Sequence, residues 1–448
     1  MTRAVVVLAL ILTSTGFAQE PANWAALEAQ AEAAYAKGDL ADAIRIAKLA
    51  VAVAANPQQS GHSLDRLGFF QYTAGDLKAG EAALRQALEI RTKIGKDTLD
   101  YAESANDLAL LCRDSDQYPE GRKLAEEAVA IRRRLLDAQD PRIAESLNTL
   151  GSVLTFLGEY DQAIARFEEA LAIHEAQTPP EFSEEFGTLC VNLAGVYQRV
   201  GKYAKAEGMF EKGLAVLRAK PGIHHPAYSA SLVGYAYLQA DLGHYSNAEK
   251  LYDEAGTLLR EQLGEQHPAY AAFLNNRAAL DAAIGHAAQA EADYRKSLEL
   301  KRKIYGPDSL TIGASLRNLA RLVYARDPAE GEKLFREDVD LYARNAKPPA
   351  FDYGSALLGL AEAQRSTGDL TGARATLEAA SDIVTKSLGF KHPLYAAVLR
   401  DMGVLNQSEH RYPEAEQCLR NAIAIVVEVQ GGGSPRFGAI PRSSGRDL

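Results

Sequence analysis

The chain has 448 residues, 47% of them hydrophobic and 24% charged, with a formal net charge of −10. This composition can bury a core along most of its length and excludes general disorder. The acidic balance argues against a nucleic-acid binder, which needs basic surface to displace phosphate counterions.

At the N-terminus Arg3 precedes an unbroken apolar run from Ala4 to Leu12, and Gly16-Phe17-Ala18 offers small residues at a cleavage triplet. Residues 1–18 therefore read as a secretory signal peptide. The run is short for a membrane span, and an uncleaved leader would tether the chain. The expectation is a bacterial exported protein, periplasmic or secreted. Cys112, Cys190 and Cys418 are odd in number and far apart, each among apolar neighbours in a predicted helix. They read as buried small side chains rather than a disulfide framework or metal ligands.

From about residue 22 to 430 the sequence repeats one plan. AYAKGDLADAIRIAKLAVAVA from Ala34 and VLTFLGEYDQAIARFEEALAIH from Val153 each hold the end of one helix, a tight turn and a second amphipathic helix. The turn recurs at Gly38, Gly75, Asp116, Gly158, Gly201, Gly243, Gly285, Asp327, Gly368 and His410. Its spacing is 41 to 43 residues after a first interval of 37. Glycine suits a helix end that needs a left-handed residue, so Asp116, Asp327 and His410 are expected to be the uncomfortable turns.

Small residues recur where two helices of a hairpin must touch. Ala31, Gly68, Ala109 and Gly151 begin the series before the turn, and Ala43, Gly80, Gly121 and Ala163 the series after it. Leu84, Phe167, Phe210 and Tyr252 then mark a bulky core position, followed three residues on by a small one such as Ala87, Ala170, Gly213 or Ala255. Asp338 breaks this last series, in the same repeat that lacks a turn glycine. Small side chains allow close helix approach, which a larger one would prevent. Residues 431–448, rich in glycine and serine, read as a flexible tail.

Small, small, bulky, small at this spacing resembles the tetratricopeptide repeat (TPR) family. The period near 42 and connectors such as Gly264-Glu265-Gln266-His267-Pro268 are similar to the longer-helix version in kinesin light chains. The resemblance implies an all-α fold, a right-handed superhelical α-solenoid of about ten helix-turn-helix repeats. First helices of each pair would line a concave groove. Such repeats bury their apolar faces only by stacking on neighbours.

His224, His225, His267 and His392 adjoin prolines at equivalent points of different repeats. They read as linker structure with proline at a helix start, not as a metal or catalytic cluster. No nucleophile elbow, phosphate loop, zinc motif or dinucleotide fingerprint occurs, so neither an enzyme nor a cofactor is expected.

The inner-face positions implied by the resemblance give Asn106, Asn148, Arg199, Tyr237, Asn275, Arg317, Arg321 and Arg365 as candidate peptide-binding residues. Asparagine can bond a peptide backbone through both amide groups, and arginine can hold a carboxylate bidentately. The alternative is that these side chains form a ladder between repeats. Arg317, Arg321, Arg365 and Arg400 gather in the C-terminal half, which predicts a preference there for acidic or C-terminal carboxylate segments. The last helix, Asn421 to Val429, is apolar on several sides and offers a surface for self-association. The expected function is a non-enzymatic scaffold or adaptor that binds protein segments. The alternatives are an envelope-complex assembly factor and the repeat region of a larger signalling protein.

Overall fold

The computed structural model describes residues 23–177, 183–220, 222–345 and 348–430, so the leader (1–18) and the tail (431–448) lie outside the described residues. Among the described residues there is no strand, and no helix is long and apolar enough to cross a membrane.

Twenty α-helices follow one another as ten hairpins. The first five pair α1 (Trp24–Ala36) with α2 (Leu40–Val53), α3 (Pro57–Thr73) with α4 (Leu77–Ile94), α5 (Leu99–Asp114) with α6 (Tyr118–Leu135), α7 (Pro141–Phe156) with α8 (Tyr160–Glu175), and α9 (Glu184–Arg199) with α10 (Tyr203–Ala219). The next three pair α11 (Pro226–Asp241) with α12 (Tyr245–Gln262), α13 (Pro268–Ala283) with α14 (Ala287–Tyr305), and α15 (Gly313–Tyr324) with α16 (Pro328–Ala343). The last two pair α17 (Ala350–Thr367) with α18 (Leu370–Leu388) and α19 (Pro393–Ser408) with α20 (Tyr412–Gln430). Each second helix packs on the first helix of the next repeat, and most first helices also touch one another. The result is an α-solenoid.

The small and bulky series interlock as the spacing requires. A Cβ on Gly68 would lie 2.6 Å from Leu84, one on Gly151 2.8 Å from Phe167, and one on Gly403 2.8 Å from Leu419. A methyl group at any of these positions would overpack the hairpin.

Nine of the ten expected turn residues have left-handed φ, including Asp116 and His410 at +61°. At Gly75 the next residue donates back to the α3 carbonyl of Gln71 (2.9 Å), and Asp76 then caps α4 by accepting from Ala79 N (3.1 Å). This Gly-Asp pair ends one helix and starts the next. The eighth turn differs from expectation. Asp327 is extended (φ −133°) and caps α16 by accepting from Glu330 N (3.0 Å). One residue fewer in this turn leaves no place for a left-handed residue.

The solenoid coils tightly enough for its turns to meet linkers about five repeats later. Tyr35 packs edge-on against His225, with ring centres 6.4 Å apart. The Thr73 carbonyl meets His267 Nε2 at 2.9 Å. Asp116 Oδ2 accepts from Ser309 Oγ (2.7 Å) and from Leu310 N (2.8 Å). Tyr160 stacks on His392, with centres 6.2 Å apart. The linker histidines also cap helices: Nδ1 of His267 accepts from Ala269 N (3.1 Å) and that of His392 from Leu394 N (3.1 Å).

Two glycines isolate the strength of this seam. Gly75 (φ +84°) would place a Cβ 2.6 Å from Pro268, whereas Gly243 (φ +80°) has nothing within 4 Å. Gly243→Ala is expected to lose only the left-handed backbone preference, about 1–2 kcal/mol. Gly75→Ala should lose that plus about 1–3 kcal/mol of overpacking. Urea unfolding of both variants checks this, and equal losses would mean that the coils are not pressed together in solution.

Candidate functional site

The first helices carry polar side chains toward the inside of the coil, and many of these bond one repeat onward. Asn106 Nδ2 donates to Glu145 (3.2 Å), Asn192 Nδ2 to Asn148 Oδ1 (3.0 Å), and Gln198 Nε2 to Asp241 Oδ2 (2.8 Å). Asn275 Oδ1 accepts from Ser315 Oγ (3.1 Å) and from Asn318 Nδ2 (3.4 Å). This is an inter-repeat ladder. It pairs buried amide groups that would otherwise be costly, although Asn106 Oδ1 has no partner among the described residues.

The candidate residues accordingly divide. Asn106 is 1% exposed and Asn275 7% exposed, so their surfaces are closed to a large ligand. Arg317 is corrected most sharply. It is 7% exposed, donates to Asp338 Oδ2 (3.1 Å) and to the Asp352 carbonyl (3.1 Å), and lies 3.7 Å from Asp352 Oδ1. It is a structural cation, and Asp338 breaks the small-residue series because it is the counter-charge. Asn148 and Arg365 are half-buried, and Arg199, Tyr237 and Arg321 remain exposed.

Tyr237 shows what kind of surface this is. It is 43% exposed, yet its phenol is pushed up to about 12, first by burial and then by Asp241. Surrounding protein thus desolvates the hydroxyl although much of the side chain remains open to solvent. Tyr237 lies within electrostatic reach of both Arg199 and Arg321. Arg199 in turn faces Tyr160 and Asp352.

Arg321 stands apart. Among the described residues it makes no ion pair and no hydrogen bond, and burial followed by repulsion from Arg317 holds its guanidinium below the usual range. Glu362 and Asp338 oppose that shift. In the third repeat the same kind of surface is saturated. Arg113 donates to Asp114 (2.6 Å) and to the Tyr72 hydroxyl (3.0 Å), the Tyr72 hydroxyl donates to Asp114 (2.7 Å), and Arg113 lies over Phe156 (5.8 Å). Tyr72, Tyr160, Tyr305 and Asp352 were not among the candidates. Tyr72 and Asp352 act on the adjacent repeat, and Tyr160 and Tyr305 across the coils, pairings that repeat spacing does not reveal.

Among the described residues no group of histidine, cysteine or carboxylate side chains could hold a metal ion. Cys112 and Cys190 are buried, and burial raises both thiols, Cys190 to about 11.

Comparison with known proteins agrees with this architecture. The profile of the tetratricopeptide repeat family matches residues 100–176, 186–261, 270–343 and 352–426. No curated protein matches the chain. A solved Rap protein complexed with competence and sporulation factor is 13% identical, with a TM-score of 0.55 over 84% of this chain and 99% of its own. The Rap conjugation gene regulator of plasmid pLS20, in complex with the Phr* peptide, is 10% identical, with a TM-score of 0.53 over 80% and 96%. A putative kinesin light chain from Podosopora anserina with nearly identical TPR-like repeats is 22% identical, with a TM-score of 0.38 over 46% and 99%. The match over more than half of the chain and the ten stacked hairpins lead to one conclusion: the chain belongs to the tetratricopeptide repeat family.

Proposed function

We propose that this chain is a non-enzymatic interaction scaffold that binds a peptide segment in its lumen, with a carboxylate of that segment held by Arg321. The observation that carries this reading is the exposed Arg321 guanidinium, which has no ion pair or hydrogen bond among the described residues and lies within electrostatic reach of Tyr237. A partly desolvated cation without a direct ion-pair partner can take a bidentate carboxylate. Arg199 lies within electrostatic reach of the same Tyr237, which offers an aromatic face and a hydroxyl. The complex of the plasmid pLS20 Rap regulator with the Phr* peptide supports the class of partner. The carboxylate, whether acidic side chain or chain end, is read from Arg321 alone.

The test is a library of acidic peptides, each made with a free and an amidated C-terminus, titrated into the wild type and Arg321→Glu. Losing a charge-assisted bond of about 1.5–3 kcal/mol should weaken binding by at least about tenfold in the variant. Equal binding by both proteins would remove Arg321 from the site. Binding that needs neither a free terminus nor an acidic side chain would remove the carboxylate.

A second surface is assigned to self-association. Tyr412, Ile423 and Val427 are exposed on α20, and a monomer at every concentration in light scattering would refute this. Export rests on Arg3, the Ala4–Leu12 run and the small residues at Gly16 and Ala18. The N-terminal sequence of the protein recovered from its native host tests it.

A further inference from the structure

We propose that the partner enters the lumen end-on, as a free chain terminus or short linear peptide, and that internal loops of folded proteins are excluded. This rests on the peptide-binding reading above and adds the class of partner. An open solenoid groove can receive a segment sideways, from anywhere within a larger chain. Here the flank is shut.

Successive coils meet at four neighbouring places: Tyr35 with His225, Thr73 with His267, Asp116 with Ser309 and Leu310, and Tyr160 with His392. They join the turns of the first four repeats to linkers of the second coil, three of them consecutive and the fourth one linker further on. Other side chains of the described residues add to these contacts. Pro268 sits where a Gly75 side chain would be, Tyr118 is buried with Leu310 and Ile312, and Leu388 lies 3.5 Å from the Cβ position of Gly158.

The later turns show the contrast. Gly75 and Gly158 have second-coil atoms within 4 Å of a Cβ, whereas Gly38 at the start of the seam and Gly201, Gly243, Gly285 and Gly368 beyond it have none. The seam therefore spans the overlap of the coils and stops where the overlap stops. The lumen-facing Tyr237, in the sixth repeat, stands beside this closed stretch, within electrostatic reach of Arg199 on the first coil and Arg321 on the second. Among the described residues, a segment that reaches it has to come along the superhelix axis.

The seam bonds set what can open it. Asp116 adopts left-handed φ as a non-glycine residue, a conformation that costs on the order of 1–3 kcal/mol, and its carboxylate holds two donors of the second coil in return.

The experiment is carried out on the full chain in a Cys418→Ser background, because Cys112 and Cys190 are buried. Tyr237→Cys is exposed to two maleimides, one at the end of a linear polyethylene glycol chain and one on a short arm from a folded carrier protein. The linear reagent is expected to label and the carrier to react at least about tenfold more slowly, since only a chain end can thread the lumen. Bridging Asp116→Cys to Ser309→Cys with a short bis-thiol crosslinker, before the Tyr237→Cys thiol is deprotected, should leave linear labelling unchanged. Equal rates for the two reagents would overturn the proposal, as would a loss of linear labelling when the seam is bridged.

The same contrast is then read with ligand. A peptide that binds in linear form should bind at least about tenfold more weakly when cyclised head to tail. A cyclic form that binds equally well overturns end-on entry. If the labelling contrast holds but no linear peptide binds, the peptide reading falls and axial access stands.

Discussion

Arg317→Met is expected to destabilise the eighth and ninth repeats by about 3–5 kcal/mol, and adding Asp338→Ala should recover most of that loss. Asp338 is 0% exposed, and its Oδ1 has no hydrogen-bond partner among the described residues. Arg317 is its main support, since burial already pushes the Asp338 carboxyl up to about 7 and Arg317 is the largest opposing influence. With Arg317 gone, the carboxyl loses its largest stabilising neighbour and takes up its proton at a higher pH than in the wild type. The cost of the single variant should therefore shrink as pH falls toward 7 and level off below it, where the carboxyl is neutral in both folded proteins. The double variant restores at position 338 the small residue found in the other repeats, and it removes both charges together. Because stability in repeat arrays is largely local, hydrogen exchange in α15 to α18 reads the effect better than a global midpoint. A double variant as unstable as the single one would show that the pair is needed for more than mutual neutralisation.

That pair also marks how far the sequence could be read. Turn residues and the small–bulky series depend on spacing inside one hairpin, and they appear in the structure where spacing put them. Only the eighth turn departs, because Asp327 serves as a helix cap. Asn106, Asn275 and Arg317 were legible as inner-face positions, but their partners were not. Glu145, Ser315 and Asp352 lie 35 to 40 residues away, so pairing depends on how each hairpin is rotated on the next. The seam is less legible still. His267 and Asp116 meet partners 193 or 194 residues distant. Those meetings follow from superhelical pitch, a small crossing angle accumulated over five repeats. The His-Pro linkers read correctly as helix starts, and their second contact on the neighbouring coil left no mark in spacing. Asp116 left a partial one, since a non-glycine at a left-handed turn signals strain that some contact must offset.

Asp107→Asn is expected to stabilise the chain at pH 8, with the gain fading as pH falls toward 4. Asp107 is buried on α5, and its one hydrogen bond among the described residues comes from Asn106 Nδ2 at 3.4 Å. Burial, then Glu145 and Glu103, push its carboxyl up to about 7, against the pull of Arg66 and Arg132. The unfolded chain releases this proton near pH 4. Between about pH 4 and 7 the folded state thus holds more protons than the unfolded state, and rising pH costs stability across that window. A shift of about three units corresponds to on the order of 4 kcal/mol at full desolvation. Relaxation around the charge makes about 2–3 kcal/mol the expected gain at pH 8. Asparagine keeps an acceptor for Asn106 and adds a donor toward Glu145, so the ladder survives the exchange. Below pH 4 aspartic acid is neutral in both states, and the two proteins should converge. Urea unfolding at pH 8, 6 and 4, with hydrogen exchange in α5 and α7, measures the trend. A gain independent of pH would place its origin in packing, and a loss at pH 8 would mean that the ionised Asp107 is held by its neighbours and not strained by them.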